Sequence, residues 1–195
     1  MYISKFSRMS TTVCPGFYAS VVYVSDGNGE GADPAEVAET LGKDRDSIDM
    51  VAFDSEDGDV LDCPLLYKLI KQVRPKGLGS TVVTAGGNPA ALDDLLGADY
   101  ADRVCFMFCG KMTEDQIRSV MTVKDYGYPF DVTVGLVPGK VDEATLAGIA
   151  ENCDGCKGFY MKSSDPRFGN KSYNRKELEA LARSVKGLVR HPVLM

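Results

Sequence analysis

An α/β protein with a parallel sheet is the fold class this sequence predicts, and three observations lead there. Short apolar runs such as Met50-Val51-Ala52-Phe53-Asp54 recur along the chain and stop abruptly on polar residues. A run of that length reads as a buried strand, since a buried helix needs about ten residues or more. Between the runs lie stretches with apolar residues at helical spacing, most of them opened by capping chemistry. Regular alternation of the two requires parallel strands joined by right-handed crossovers.

The elements follow in order. Residues 1–12 are polar and poorly periodic and read as an edge or a flexible lead. After the Pro15-Gly16 turn signal, residues 17–25, rich in Val and Tyr, form the first predicted strand. A glycine-rich loop from Ser25 to Gly31 follows, and Asp33-Pro34-Ala35-Glu36 opens a helix with Asp as N-cap and Pro at the first helical position. Residues 50–54 are the second strand. The next helix starts at Pro64 and carries Leu65, Leu66, Leu69, Ile70 and Val73 on one face. Residues 79–84 are the third strand, after which Asn88-Pro89 caps a helix. Residues 103–109 are the fourth, followed by a helix with Thr113 as cap and Gln116 in the capping-box position. Residues 130–136 give the fifth strand and a helix over 142–151, and residues 158–162 give the sixth. Asn174 with Glu177 caps the last helix. Periodicity leaves two architectures open, an open doubly wound sheet and a curved partial α/β barrel. In both, ligands meet the loops that follow the strands.

A chain of 195 residues is of ample size for one core. The expected organisation is a lead over 1–12, one domain over 13–190 and a tail over 191–195. A net charge of −6 offers no basic stripe for phosphates, so no nucleic-acid partner is expected. No apolar run approaches the roughly twenty residues of a membrane span and no signal-peptide pattern opens the chain, so a cytoplasmic location without a membrane partner is expected. The six cysteines are read as reduced thiols. The single histidine, His191, argues against a histidine triad.

Several groups carry candidate chemistry. The loop holding Asp26 and Gly27 matches no phosphate-binding fingerprint, and its acidic residues would repel an anion, so a plain turn is favoured. Glu56, Asp57, Asp59 and Asp62 could attract a divalent cation, although their spacing fits no EF-hand and a solvated loop is favoured. Cys153-x-x-Cys156 is compatible with redox or metal chemistry, but it enters a strand from a helix, on the face that such folds use for stability. Cys63 and Cys109 fall on the functional face and are the better thiol candidates, with ordinary thiols still favoured.

From Val13 to Lys186 the pattern resembles the radical-SAM activating enzymes, the small activases of glycyl-radical enzymes and of anaerobic ribonucleotide reductase. Cys14-Pro15-Gly16 with Ala19-Ser20-Val21-Val22-Tyr23-Val24-Ser25 is similar to the family's Pro-Gly turn and first strand. Val51-Ala52-Phe53 is similar to the strand before its Gly-Gly-Glu motif, and Thr84-Ala85-Gly86-Gly87-Asn88-Pro89 to its Thr-Asn-Gly loop. The most specific match is Val134-Gly135-Leu136-Val137-Pro138-Gly139 with Asp142-Glu143. The resemblance implies a partial (β/α)6 barrel of parallel strands, of the radical-SAM type.

It also implies where the chain departs. The family's C-x-x-x-C-x-x-C loop, whose thiolates hold a [4Fe–4S] cluster, corresponds here to the segment from Asp26 to Gly31, with Gly27 at the first ligand position. No cysteine occurs between Cys14 and Cys63. Ser55-Glu56-Asp57 stands for Gly-Gly-Glu, and Thr133 for an arginine of the fifth strand. The degenerate cofactor positions are thus Asp26, Gly27, Ser55, Glu56, Asp57, Thr84 and Thr133. A cluster would have to recruit Cys14, Cys63 and Cys109 from separate segments. No resident metal or cofactor is expected, and binding of S-adenosylmethionine or an iron–sulfur cluster is the disfavoured case.

Three functions are weighed. The leading one is a pseudoenzyme that binds or regulates a protein partner, an anaerobic enzyme or a true activase. The alternative is an enzyme with repurposed chemistry in the barrel mouth, using Glu56, Asp57, Lys111 or Lys162. The third is an activase with atypical cluster ligation.

Overall fold

Strand order decides between the two architectures. The computed structural model describes residues 2–25, 31–163, 167–168 and 171–195. Its sheet runs β1-β2-β3-β4-β5-β6-β7-β8 in chain order. The strands are β1 (Tyr2–Ser10), β2 (Ala19–Ser25), β3 (Met50–Ser55), β4 (Gly79–Thr84), β5 (Arg103–Phe108), β6 (Phe130–Gly135), β7 (Gly158–Lys162) and β8 (Pro192–Leu194). From β2 to β8 every neighbouring pair is parallel, and only β1 lies antiparallel, on β2. A doubly wound sheet reverses its strand order once, which places helices on both faces. Here the order never reverses, so crossovers of one hand leave every helix on one side and the sheet curls around the other. The fold is an α/β partial barrel of parallel strands.

The packing records this one-sidedness. The larger core joins alternate strand residues, such as Val22, Val51, Phe53, Val82, Phe106, Val132 and Phe159, to the inner faces of the helices. The smaller core contains Val13, Cys14, Ala19, Val21, Ala52, Val83 and Cys105, and no helix contributes to it. Side chains alternate across a strand, so the two cores are the convex and concave faces of one sheet.

The helices begin as their capping residues dictate. Asp33 accepts from the Ala35 amide ahead of α1 (Pro34–Asp44). α2 (Leu65–Val73) buries Leu66, Leu69, Ile70 and Val73. Asn88 accepts from the Ala91 amide to start α3 (Pro89–Gly97). Complete capping boxes open α4 (Glu114–Tyr126) at Thr113 and Gln116, and α6 (Arg175–Ser184) at Asn174 and Glu177. Asp142 caps α5 (Glu143–Asn152). No helix among the described residues is long and apolar enough to cross a membrane.

Two strands lie outside the six predicted strand–helix units. The lead is an edge strand, β1, tied to α1 by Arg8 and Asp44. The tail expected at 191–195 is mostly exposed but carries a short strand. Residues Pro192–Leu194 pair in parallel with β7, and the Met195 amide donates to Met161 O at 2.8 Å. Three residues are too few for a periodic signal, which is why the sequence hid this strand.

Among the described residues no helix covers the concave face, and the chain fills it from within. Residues 12–16, between β1 and β2, run into the barrel beside β7. Tyr160 Oη donates to Pro15 O at 3.1 Å and Lys162 Nζ donates to Thr12 O at 2.9 Å. Cys14 is fully buried there, with its Sγ 3.5 Å from Cys105 Sγ. Below it, Arg103 Nη1 meets Asp131 Oδ2 at 2.5 Å, and the guanidinium stacks 4.6 Å from the Phe17 ring centre. Burial holds the Asp131 carboxyl above its ordinary range despite the Arg103 charge.

Two expectations follow. Asp131→Asn leaves the largely buried Arg103 without its counter-charge and costs about 3 kcal/mol, measured by chemical unfolding of both forms. The second concerns acid. Asp44 beside Arg8, Asp99 beside Tyr128 and Arg74, and Asp142 at its cap all titrate below the usual carboxylate value when folded. Their stabilisation is therefore full above about pH 4 and is lost as pH falls through their folded values. Unfolding midpoints measured against pH should drop on that side, with the raised Asp131 acting weakly in the opposite direction.

Candidate functional site

The C-terminal ends of the strands are where a sheet of this kind exposes loops and carbonyls to a ligand. At that end a cavity of about 620 Å³ opens between the two sheet edges. Lys5 and Tyr23 line it from β1 and β2, Ser55 and Glu56 from the end of β3, Lys162 from β7, and Arg167 and Met195 from the loops beyond. Thr12 and Val13 of the inserted segment form the remaining wall.

Each charged group in this wall has a defined neighbour. Lys5 Nζ lies 5.3 Å from the Tyr23 ring centre. Arg167 Nη1 pairs with Asp54 Oδ2 at 2.9 Å, and Asp54 is buried at the end of β3. Glu56 accepts from Ser4 Oγ at 2.6 Å. Beside Arg167, Phe168 packs over Gly135 at the end of β6. A Cβ on that glycine would lie 2.2 Å from the Phe168 ring, so no larger residue fits beneath it.

The acidic loop is a staple. Asp57 accepts from Ser25 Oγ at 2.5 Å, tying β3 to β2. Asp59 caps a single 3-10 turn (Val60–Asp62) and accepts from Thr84 Oγ1 at 2.7 Å and from the Ala85 amide at 2.9 Å, tying β3 to β4. Asp62 accepts from Asn88 Nδ2 at 2.7 Å. Four carboxylates that look like one cluster in sequence thus point to four different partners. Among the described residues, no three Asp, Glu, His or Cys groups are placed to share a metal ion.

The predicted site residues divide accordingly. Ser55, Glu56 and Lys162 meet in the main cavity. Asp57 and Thr84 lie at the same end, engaged by Ser25 and Asp59. Thr133 is buried within β6. Lys111 lies elsewhere, in a groove of about 340 Å³ with Met112, Ile117 and residues of α5. Asp26 and Gly27 fall outside the described residues. Sequence reasoning missed Lys5, Tyr23 and Arg167. Lys5 lies two residues from Ile3 and by simple alternation shares its buried face, but a register shift between the two turns Lys5 toward Tyr23 and the cavity, which the sequence does not reveal. Nothing in the sequence marks Arg167.

The three candidate thiols lie apart. Cys14 sits in the concave core, Cys63 belongs to the convex core at the start of α2, and Cys109 follows β5. Iron–sulfur clusters are held by converging Cys thiolates, and these three stand in separate parts of the barrel. Burial pushes Cys153 up to about 12 and Cys156 up to about 11. A redox C-x-x-C has its thiol depressed instead, so this pair lacks the electrostatics of a reactive motif. Cys109, only partly buried, is also raised by burial.

No protein-family model matches the chain. No curated protein matches it in sequence. Among solved structures, the crystal structure of Streptococcus suis SuiB bound to precursor peptide SuiA is similar over all of this chain, with a TM-score of 0.65 and 11% identity. The match covers 47% of SuiB, so this chain spans about half the length of that protein. The 3-dehydroquinate dehydratase from Aquifex aeolicus VF5 matches over 91% of this chain and 76% of its own, with a TM-score of 0.50 and 12% identity. At such identities the likeness establishes the fold alone.

Native alkylation tests the thiol environments. N-ethylmaleimide at neutral pH should label Cys109 first and alone on a short timescale, with all six thiols labelled in denaturant; peptide mass spectrometry reads the order.

Proposed function

We propose that this protein is a non-catalytic binding partner built on a radical-SAM-type barrel, taking a segment of a partner protein in the cavity at the barrel mouth. The observation that carries the reading is the separation of cavity from thiols. The mouth keeps about 620 Å³ of space walled by Lys5, Tyr23, Glu56 and Lys162, while the cysteines lie in the two cores or past β5. Two of the cofactor positions that the resemblance points to make bonds within the barrel, Thr84 with Asp59 and Asp57 with Ser25. The sequence carries no thiol between Cys14 and Cys63 to seat a cluster. What remains is a concave, partly apolar and partly charged recess, the form that binding sites take. A peptide-bound relative in fold, SuiB with SuiA, supports a peptide segment as occupant. The partner this reading names is an anaerobic enzyme of the glycyl-radical kind or its true activase.

A second reading has one observation in its favour. Glu56 and Lys162, an acid and a base, line the same cavity, as repurposed catalysis would need. Lys162 is nearly buried and bonded to Thr12 O.

Anaerobic purification with iron and sulfide analysis, then calorimetric titration with S-adenosylmethionine, tests the leading reading. The expected result is no stoichiometric iron and no heat of binding. A purified partner enzyme or activase from the same cell should bind, and Lys5→Glu should weaken it about tenfold by reversing one charge of the wall. Iron with a visible charge-transfer band would overturn the reading. S-adenosylmethionine binding without iron would favour repurposed chemistry.

A further inference from the structure

Two cysteines 91 positions apart in the chain meet inside the barrel. Cys14 Sγ and Cys105 Sγ are 3.5 Å apart, both side chains are almost fully buried, and both belong to the concave core. One sits on the inserted segment and the other on β5, so a bond between them would cross the interior. A disulfide needs its sulfurs at about 2.05 Å, an approach of about 1.5 Å from where they stand. The segment that would move is a connection, with Thr12 and Gly16 exposed on either side of Cys14 and Gly16 at φ +91°. β5 is held on both sides by β4 and β6.

We propose that Cys14 and Cys105 are a reversible thiol–disulfide pair that staples the inserted segment to β5 and so fixes the wall of the mouth cavity. Thr12 and Val13, directly before Cys14, form part of that wall. The oxidant is a small-molecule disulfide. One protein thiolate attacks it, forms a mixed disulfide and expels one thiol; the second protein thiol then attacks, closes the Cys14–Cys105 bond and expels the other. Two protein thiols lose two protons and two electrons, and the oxidant's sulfur–sulfur bond takes up both electrons. The Cys105 thiol is held well above its ordinary value, first by its hydrogen bond with Cys14 and then by burial. Exchange in the closed barrel is therefore slow, and it speeds up when residues 12–16 swing outward and expose the sulfurs.

The test treats the folded full-length chain with oxidised glutathione, blocks the remaining thiols with N-ethylmaleimide in denaturant, and maps the linkages by tandem mass spectrometry. The expected product joins Cys14 to Cys105 and reverts with dithiothreitol. Closing so long a loop restricts the unfolded chain, so the oxidised form should melt several degrees above the reduced one. Cys14→Ala and Cys105→Ala should each abolish both the linkage and the shift. The comparison of oxidised with reduced wild type stands even if either variant folds poorly. Prolonged oxidation that leaves both thiols free would overturn the proposal. So would a stable glutathione adduct on Cys14, linkage to Cys109, Cys153 or Cys156 in its place, or a linked form with an unchanged melting point.

Discussion

One constraint governs this molecule: its sheet is wound in a single direction. Parallel strands laid down in chain order put every helix on the same side. That side obtains a thick apolar core from Phe53, Phe106, Phe108, Phe159 and the helix faces. The other side obtains nothing from the repeating units and must be closed by other means. Small residues such as Ala19 and Ala52 and a segment threaded in from the β1–β2 connection do so. The open space left above that segment is the cavity at the mouth.

Seen this way, the polar groups at the strand ends have a structural reason. Curled strands need their tops held in register, and the loop after β3 reaches both neighbours, through Asp57 to Ser25 and through Asp59 to Thr84 and Ala85. Carboxylates are suited to the task because each accepts several hydrogen bonds at once, as Asp59 does from a hydroxyl and two amides. In sequence the same carboxylates could pass for a cation site, although a solvated loop is the favoured reading. Only the directions of their partners separate the two readings.

Much of the fold was legible because its signals are local. The caps at Asp33, Asn88, Thr113 and Asn174, and the apolar stripe of α2, each lie within one turn, and the structure has them where the sequence puts them. β8 was not legible, because three residues cannot show a period. The site was only partly legible. Ser55, Glu56 and Lys162 follow from the rule that loops after strands face the ligand side, and they do meet. Lys111 obeys the same rule and yet turns toward α5, away from the mouth. Arg167 and the wall made by Thr12 and Val13 depend on long-range packing, for which composition and spacing carry no trace.

The inserted segment also joins distant parts of the chain. Its anchors, Tyr160 and Lys162, lie 145 and 150 positions further along the chain than the carbonyls they hold. Both anchors belong to β7, so the seat of residues 12–16 depends on that strand's place beside β6. Closing so wide a loop is among the costliest entropic steps in the chain. The cover of the concave face is thus bonded to a strand that the chain lays down almost at its end, so one short segment ties the first third of the barrel to the last.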